Sequence, residues 1–139
     1  MWGKLTDKLI KGAENLKINA RDGIGLDNVD LIAARDSGVE VCYTPDAPSP
    51  AVAELTVAMM LTMLRQVHVS NQQMHNGVWH RYFGRRLSEC SVGIIGAGRI
   101  GRRVLKLLSG FDIEKIFVND IDDTIALEKS DHIVFKASG

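Results

Sequence analysis

Three glycines, Gly96, Gly98 and Gly101, stand in the spacing G-x-G-x-x-G between an apolar run, Val92-Gly93-Ile94-Ile95, and a stretch of helical periodicity. A turn of this kind leaves main-chain N–H groups bare at the start of a helix, where the helix dipole adds partial positive charge. It suits a diphosphate, whose approach side chains would block. Gly96 permits the tight turn, Gly98 lets the backbone come close to the ligand, and Gly101 lets helix and strand pack. Arg99 adds a charge that can meet phosphate. The next apolar run, Ile116-Phe117-Val118-Asn119, ends on Asp120, 19 residues after Gly101. A carboxylate there can accept the hydroxyls of a ribose and would repel a 2′-phosphate. No arginine follows closely, so NAD is favoured over NADP. The competing structural explanation is a strand–turn–helix that binds nothing, with Asp120 serving only as a cap.

No other residue set makes an equal claim. His68, His75, His80 and His132 lack an acid in a defensible motif, and no Cys and His spacing fits a metal site. We therefore expect no metal and no catalytic histidine. Cys42 and Cys90 lie far apart in or beside apolar runs, which predicts buried thiols in a reducing compartment. The 139 residues carry 17 basic and 17 acidic side chains, so no net field draws a polyanion or an acidic membrane. Nucleic acid is not expected as a partner on that ground, and Arg81, Arg85 and Arg86, which have acidic neighbours, are read as a dimer or loop contact. The longest apolar run, Leu55 to Leu64, is too short to cross a bilayer. No charged-then-apolar leader is seen, and a soluble cytoplasmic protein is expected.

The elements that would position the turn can be read from periodicity and punctuation. Helical spacing predicts a helix from Leu5 to Lys11, with Gly12 as its stop. A short strand is expected from Leu16 to Ala20, then a tight loop at Gly23-Ile24-Gly25. Asp27 or Asn28 would cap a helix carrying Val29, Leu31, Ile32 and Ala33 and ending near Gly38. Val39 to Tyr43 alternates as a strand. Pro45, Pro48 and Pro50 cluster into a stiff connector between two units. Ala51 to Val69 is the strongest predicted helix, apolar around most of its circumference, which implies burial on several sides. Met59, Met60 and Met63 are expected as core filler. From Ser70 to Glu89 the chain turns polar and aromatic without a clean period, and we expect it either to lie along a partner subunit or another domain or to fold as a loop on its own domain. Val92 to Ile95, Ile116 to Asn119 and Asp131 to Phe135 are strand candidates, and Arg99 to Leu108 is a helix with Ile100, Val104, Leu107 and Leu108 inward.

With these residues in hand, the chain resembles part of the D-isomer-specific 2-hydroxyacid dehydrogenase family, which includes phosphoglycerate dehydrogenase. Gly23-Ile24-Gly25-Leu26-Asp27-Asn28-Val29-Asp30 resembles the family's loop facing the interdomain cleft. Thr44-Pro45 with Ala51-Val52-Ala53-Glu54-Leu55 resembles its crossing into the nucleotide domain, and Asn76-Gly77-Val78-Trp79 the start of its dimer-forming arm. Val92 to Gly101 resembles its dinucleotide signature. The resemblance implies an α/β fold: a Rossmann-like doubly wound parallel sheet, incomplete, preceded by part of a flavodoxin-like substrate domain. Residues 1–46 would end the first segment of the substrate domain. Residues 47–139 would form a partial NAD-binding domain with a dimerisation helix and arm. It implies a homodimer, and it places Asn28, Arg99, Ile100 and Asp120 at or near the cofactor, with Ile24 contributing through its backbone.

The departures matter as much. The family moves a hydride between the nicotinamide and C2 of a small 2-hydroxy or 2-keto acid, using an arginine for the carboxylate and a histidine–acid pair for the proton. No counterpart of these catalytic residues is found, and Tyr43 stands where many members have asparagine. Ser130-Asp131-His132-Ile133-Val134 resembles a later family strand, with Lys136-Ala137-Ser138 at its cofactor-facing end. Only residues 121–130 separate Asp120 from Asp131, short for a parallel crossover. An incomplete chain is expected. Two functions follow: an NAD-dependent oxidoreductase acting on a small 2-hydroxy acid, or a non-catalytic NAD-binding or dimerisation module.

Overall fold

The computed structural model describes residues 3–122 and 133–137. The chain divides into two compact units, Met1–Pro48 and Ser49–Gly139. In the first unit the order is α1 (Asp7–Gly12), β1 (Ile18–Arg21), α2 (Leu31–Asp36) and β2 (Glu40–Tyr43). β1 and β2 pair in parallel, with Ile18 opposite Glu40 and Arg21 opposite Tyr43. Ile10, Ala33, Ala34 and Val39 are buried together, with Leu5, Leu16 and Val41 packed against them.

Both helices here start later than periodicity suggests, for one reason. Leu5 and Val29 form a parallel bridge, in which Leu5 N–H donates to the Asn28 carbonyl at 2.8 Å and Asp30 N–H to that of Leu5 at 3.0 Å. The extended backbone at both residues forbids helix. The cap of α2 consequently falls on Asp30, whose Oδ1 accepts the Ala33 N–H at 2.9 Å, and not on Asp27 or Asn28. Cys42 also departs from expectation. It is exposed on β2, where Val41 takes the core-facing position, while Cys90 is half-buried; both are free thiols.

The second unit runs α3 (Ser49–Leu64), α4 (Val67–His75), a 3₁₀ turn (Leu87–Glu89), β3 (Val92–Ile95), α5 (Arg99–Leu108), a second 3₁₀ turn (Ser109–Phe111), β4 (Ile116–Asp120) and β5 (Ile133–Ala137). The sheet order is β3-β4-β5, all parallel, with Ile94 opposite Val118 and Val118 opposite Phe135. β3–α5–β4 is the β-α-β unit of a Rossmann-like fold. One sheet face, Val92, Ile94, Ile116 and Val118, packs with Ala53 and Val57 of α3 and Val104, Leu105 and Leu108 of α5. On the other face Ile95 is 91% exposed, and Phe117 and Val134 are also exposed. Of the strand expected from Asp131 to Phe135, residues from Ile133 onward are described and are strand; Asp131 and His132, like Ser130 and Ser138, lie outside the described residues.

The long helix is not continuous. It breaks where Gln66 turns left-handed (φ 52°), and α4 follows. Pro50 sits in the first turn of α3, where a missing N–H costs nothing. Nor is α3 buried on several sides: Ala53 and Val57 are buried and Met60, Leu61 and Leu64 pack on the core. Val52, Leu55, Met59 and Met63 form one exposed stripe on the opposite face, so two of the three methionines are surface residues. Beyond α4, Trp79 and Phe83 stand 80% and 95% exposed.

Candidate functional site

The glycine turn lies at the carboxyl ends of the parallel strands β3 and β4. It is anchored where Gly96 N–H donates to the Asn119 carbonyl at 2.8 Å. Gly96 has φ +93°, a conformation that side chains resist. Gly101 is required for a different reason: a Cβ there would overlap the Gly96 carbonyl, because α5 starts directly against the turn. Gly98 caps α5 with no side-chain partner, and a Cβ on it would meet nothing within 4 Å. The chain's own packing gives no reason for glycine at 98, so its missing side chain leaves space for something else. The N–H groups of Arg99, Ile100 and Gly101 open α5 and have no intrahelical acceptor.

Arg99 is exposed at the first position of α5. Ile100 turns its side chain towards the core, so what it can offer a ligand is its N–H. Asp120 ends β4, half-buried. Its Oδ1 accepts Asp122 N–H at 3.0 Å and its Oδ2 accepts Ala97 N–H at 2.5 Å. The Asp122 and Ala97 amides, helped by the Arg102 charge, hold this carboxyl below the usual aspartate range, against a smaller opposing effect of partial burial. It is therefore ionised at neutral pH.

The structure brings Gly96, Gly98, Arg99, Ile100, Gly101 and Asp120 to one end of one sheet. Ile24 and Asn28 belong to the first unit. Ile24 sits in a loop pinned by Arg21 Nε–H on the Gly25 carbonyl (2.8 Å) and by Gly23 N–H on Thr44 Oγ1 (2.8 Å). The Asn28 amide donates to the Gly3 carbonyl at 3.4 Å, while its Oδ1 is buried with no hydrogen-bond partner. Two residues of the turn escaped sequence reasoning. Ala97 is fully buried and tied to Asp120, and Arg102 donates through Nε to the Ala97 carbonyl at 3.0 Å. A basic residue one helical turn after Gly98 was a signal for the second, since helical side chains lean towards the N-terminus. No metal-binding cluster occurs among the described residues, and none of their helices is long and apolar enough to cross a membrane.

A family model, the NAD binding domain of D-isomer specific 2-hydroxyacid dehydrogenases, matches residues 57–137, which contain the whole turn and Asp120. The chain belongs to this family. NAD is the cofactor by which the family is described. The chain is 39% identical over 115 residues to D-3-phosphoglycerate dehydrogenase of Methanocaldococcus jannaschii, a match covering 81% of this chain and 22% of that protein. It is 38% identical over 115 residues to hydroxypyruvate reductase of Thermotoga maritima, covering 81% and 38%. Among solved structures, D-lactate dehydrogenase from Aquifex aeolicus, complexed with NAD and lactic acid, superposes with a TM-score of 0.77 at 29% identity, over 96% of this chain and 40% of that one. The chain thus spans between 22% and 40% of the length of these family members.

Proposed function

We propose that the glycine turn holds NAD. The observation that carries this reading is the open space beside Gly98, at a helix start whose N–H groups have no acceptor, with an ionised Asp120 at the neighbouring strand end. In this arrangement the Gly98, Arg99 and Ile100 amides receive the diphosphate and Arg99 adds charge from the side. Asp120 accepts the adenosine ribose hydroxyls and turns away a 2′-phosphate. Ile24 and Asn28 are proposed as further contacts from the first unit, Ile24 through its backbone. Bound NAD supplies a hydride acceptor at its nicotinamide.

The whole protein is proposed to be an NAD-dependent oxidoreductase interconverting a small 2-hydroxy acid and its 2-keto acid. The names of the phosphoglycerate, hydroxypyruvate and lactate relatives support that substrate class. Residues 1–46 are read as part of a substrate domain and 47–139 as part of the NAD-binding domain. A homodimer is proposed through the exposed stripe of α3 and the arm bearing Trp79 and Phe83, because two copies would cover apolar surface that one leaves in water. Free cysteines, one of them exposed, favour a reducing, cytoplasmic setting.

Calorimetric titration with NAD, comparing the natural chain with Gly98→Val, tests the site. Saturable binding that the variant loses is expected. Equal binding by both, or by neither, overturns it.

A further inference from the structure

Ala97 is held in an unusual way for a turn residue. Its methyl is fully buried, yet both of its main-chain polar groups are taken by side chains: the N–H by Asp120 and the carbonyl by Arg102 Nε at 3.0 Å. The main chain of Arg102 is fixed, because its N–H bonds the Gly98 carbonyl at 3.0 Å in the first turn of α5. Its side chain reaches back over the helix start, as the tilt of helical side chains directs.

The consequence falls on the next amide. In a trans peptide the carbonyl and the N–H lie in one rigid plane and point in opposite directions. Holding the Ala97 oxygen towards Arg102 therefore turns the Gly98 N–H away from it. We propose that Arg102 is the positioning residue of the glycine turn: its Nε–H bond to the Ala97 carbonyl sets the 97–98 peptide so that the Gly98 N–H is presented to the diphosphate. This rests on the turn being the NAD site. Arg102 does not touch the dinucleotide; it acts through the peptide it holds. A planar guanidinium suits the task, since its Nε–H has a fixed direction that a flexible ammonium lacks.

The test uses the full chain with Arg102→Met, which keeps the length and removes the donor, and Arg102→Lys, which keeps a charge and a donor. NAD, ADP and adenosine are titrated into each. The Met variant is expected to bind NAD and ADP about ten-fold more weakly, the effect of one hydrogen bond, with adenosine changed less than two-fold. The Lys variant is expected to fall between. In the ligand-free chain, the ¹⁵N order parameter of Gly98 should drop from a rigid value near ~0.85 towards ~0.6 in the Met variant. Unchanged NAD affinity, or a parallel loss for adenosine and ADP, overturns the inference. Should the Met variant fail to fold, the Lys variant decides by the same comparison. If the natural chain binds none of the three ligands, the NAD reading fails; an unchanged Gly98 order parameter then shows separately whether the positioning fails too.

Discussion

Asp120 accepts the main-chain N–H of Ala97 at 2.5 Å, so the end of β4 is tied to the middle of the glycine turn. The bond makes the shape of the turn depend on a titrating group. The Asp122 and Ala97 amides lower the folded-state pKa of Asp120 below its unfolded value of about 3.9. A depressed carboxyl contributes stability that is present above the unfolded pKa and is lost as pH falls through the folded one. Melting temperature should therefore decline below about pH 4. Asp120→Asn should show a shallower decline, measured by circular dichroism from neutral pH downward; parallel curves would disprove the link.

The same carboxylate should govern cofactor choice. With Asp120→Asn, NAD affinity is expected to fall about ten-fold, because a charged acceptor of hydroxyl groups is lost. NADP should lose less or gain, since the repulsion of its 2′-phosphate is removed. The ratio of the two dissociation constants is the readout, and an unchanged ratio would count against Asp120 at the ribose.

Gly98 and Gly101 should separate binding from stability. A Cβ at 98 meets nothing within 4 Å and the backbone there has an ordinary φ of −71°, so Gly98→Ala should melt within a few degrees of the natural chain. Its NAD affinity should still fall. Gly101→Ala drives a methyl into the Gly96 carbonyl, and α5 must shift to relieve it. A loss of about 1–3 kcal/mol is expected, typical of an overpacked site. Chemical denaturation of both variants beside NAD titration checks the contrast.

How much of this was legible in the sequence differs by element. The turn and its two strands were, because a glycine spacing and two apolar runs are local signals. The division of labour among Gly96, Gly98 and Gly101 could likewise be argued from what each lacks. The starts of α1 and α2 were not, since Leu5 and Val29 meet across 24 positions of chain and no local pattern announces the bridge. The break at Gln66 was hidden by good helix formers on both sides. Apolar residues around α3 promised burial on several sides, but periodicity cannot tell a core face from an exposed one, and Met59 and Met63 proved to be exposed. Arg102 was missed because its partner is a backbone carbonyl, which no residue type announces, and only its place one helical turn after Gly98 pointed to it.

The cap at Asp30 offers a test confined to the first unit. α2 has six residues, too few to hold on propensity alone, and Asp30 Oδ1 satisfies one of its bare N–H groups. Asp30→Ala should cost about 1 kcal/mol and Asp30→Asn much less. Urea denaturation followed at probes in that unit distinguishes the two; equal losses would mean that the cap contributes little.

The exposed stripe on α3 makes the assembly testable without touching the core. Val52, Leu55, Met59 and Met63 point away from the buried Ala53 and Val57, and Met63 is 70% exposed. Charges placed at 59 and 63 should therefore leave the unit folded. In a dimer built on this face the same charges would be desolvated against apolar neighbours and against their own symmetry mates, a cost that dimerisation cannot absorb. Met59→Glu with Met63→Glu is expected to convert a dimer of the natural chain into a monomer with unchanged circular dichroism. Sedimentation velocity at several concentrations reads the outcome. A natural chain that is monomeric at all of them, or a doubly charged variant that stays dimeric, would remove α3 from the interface.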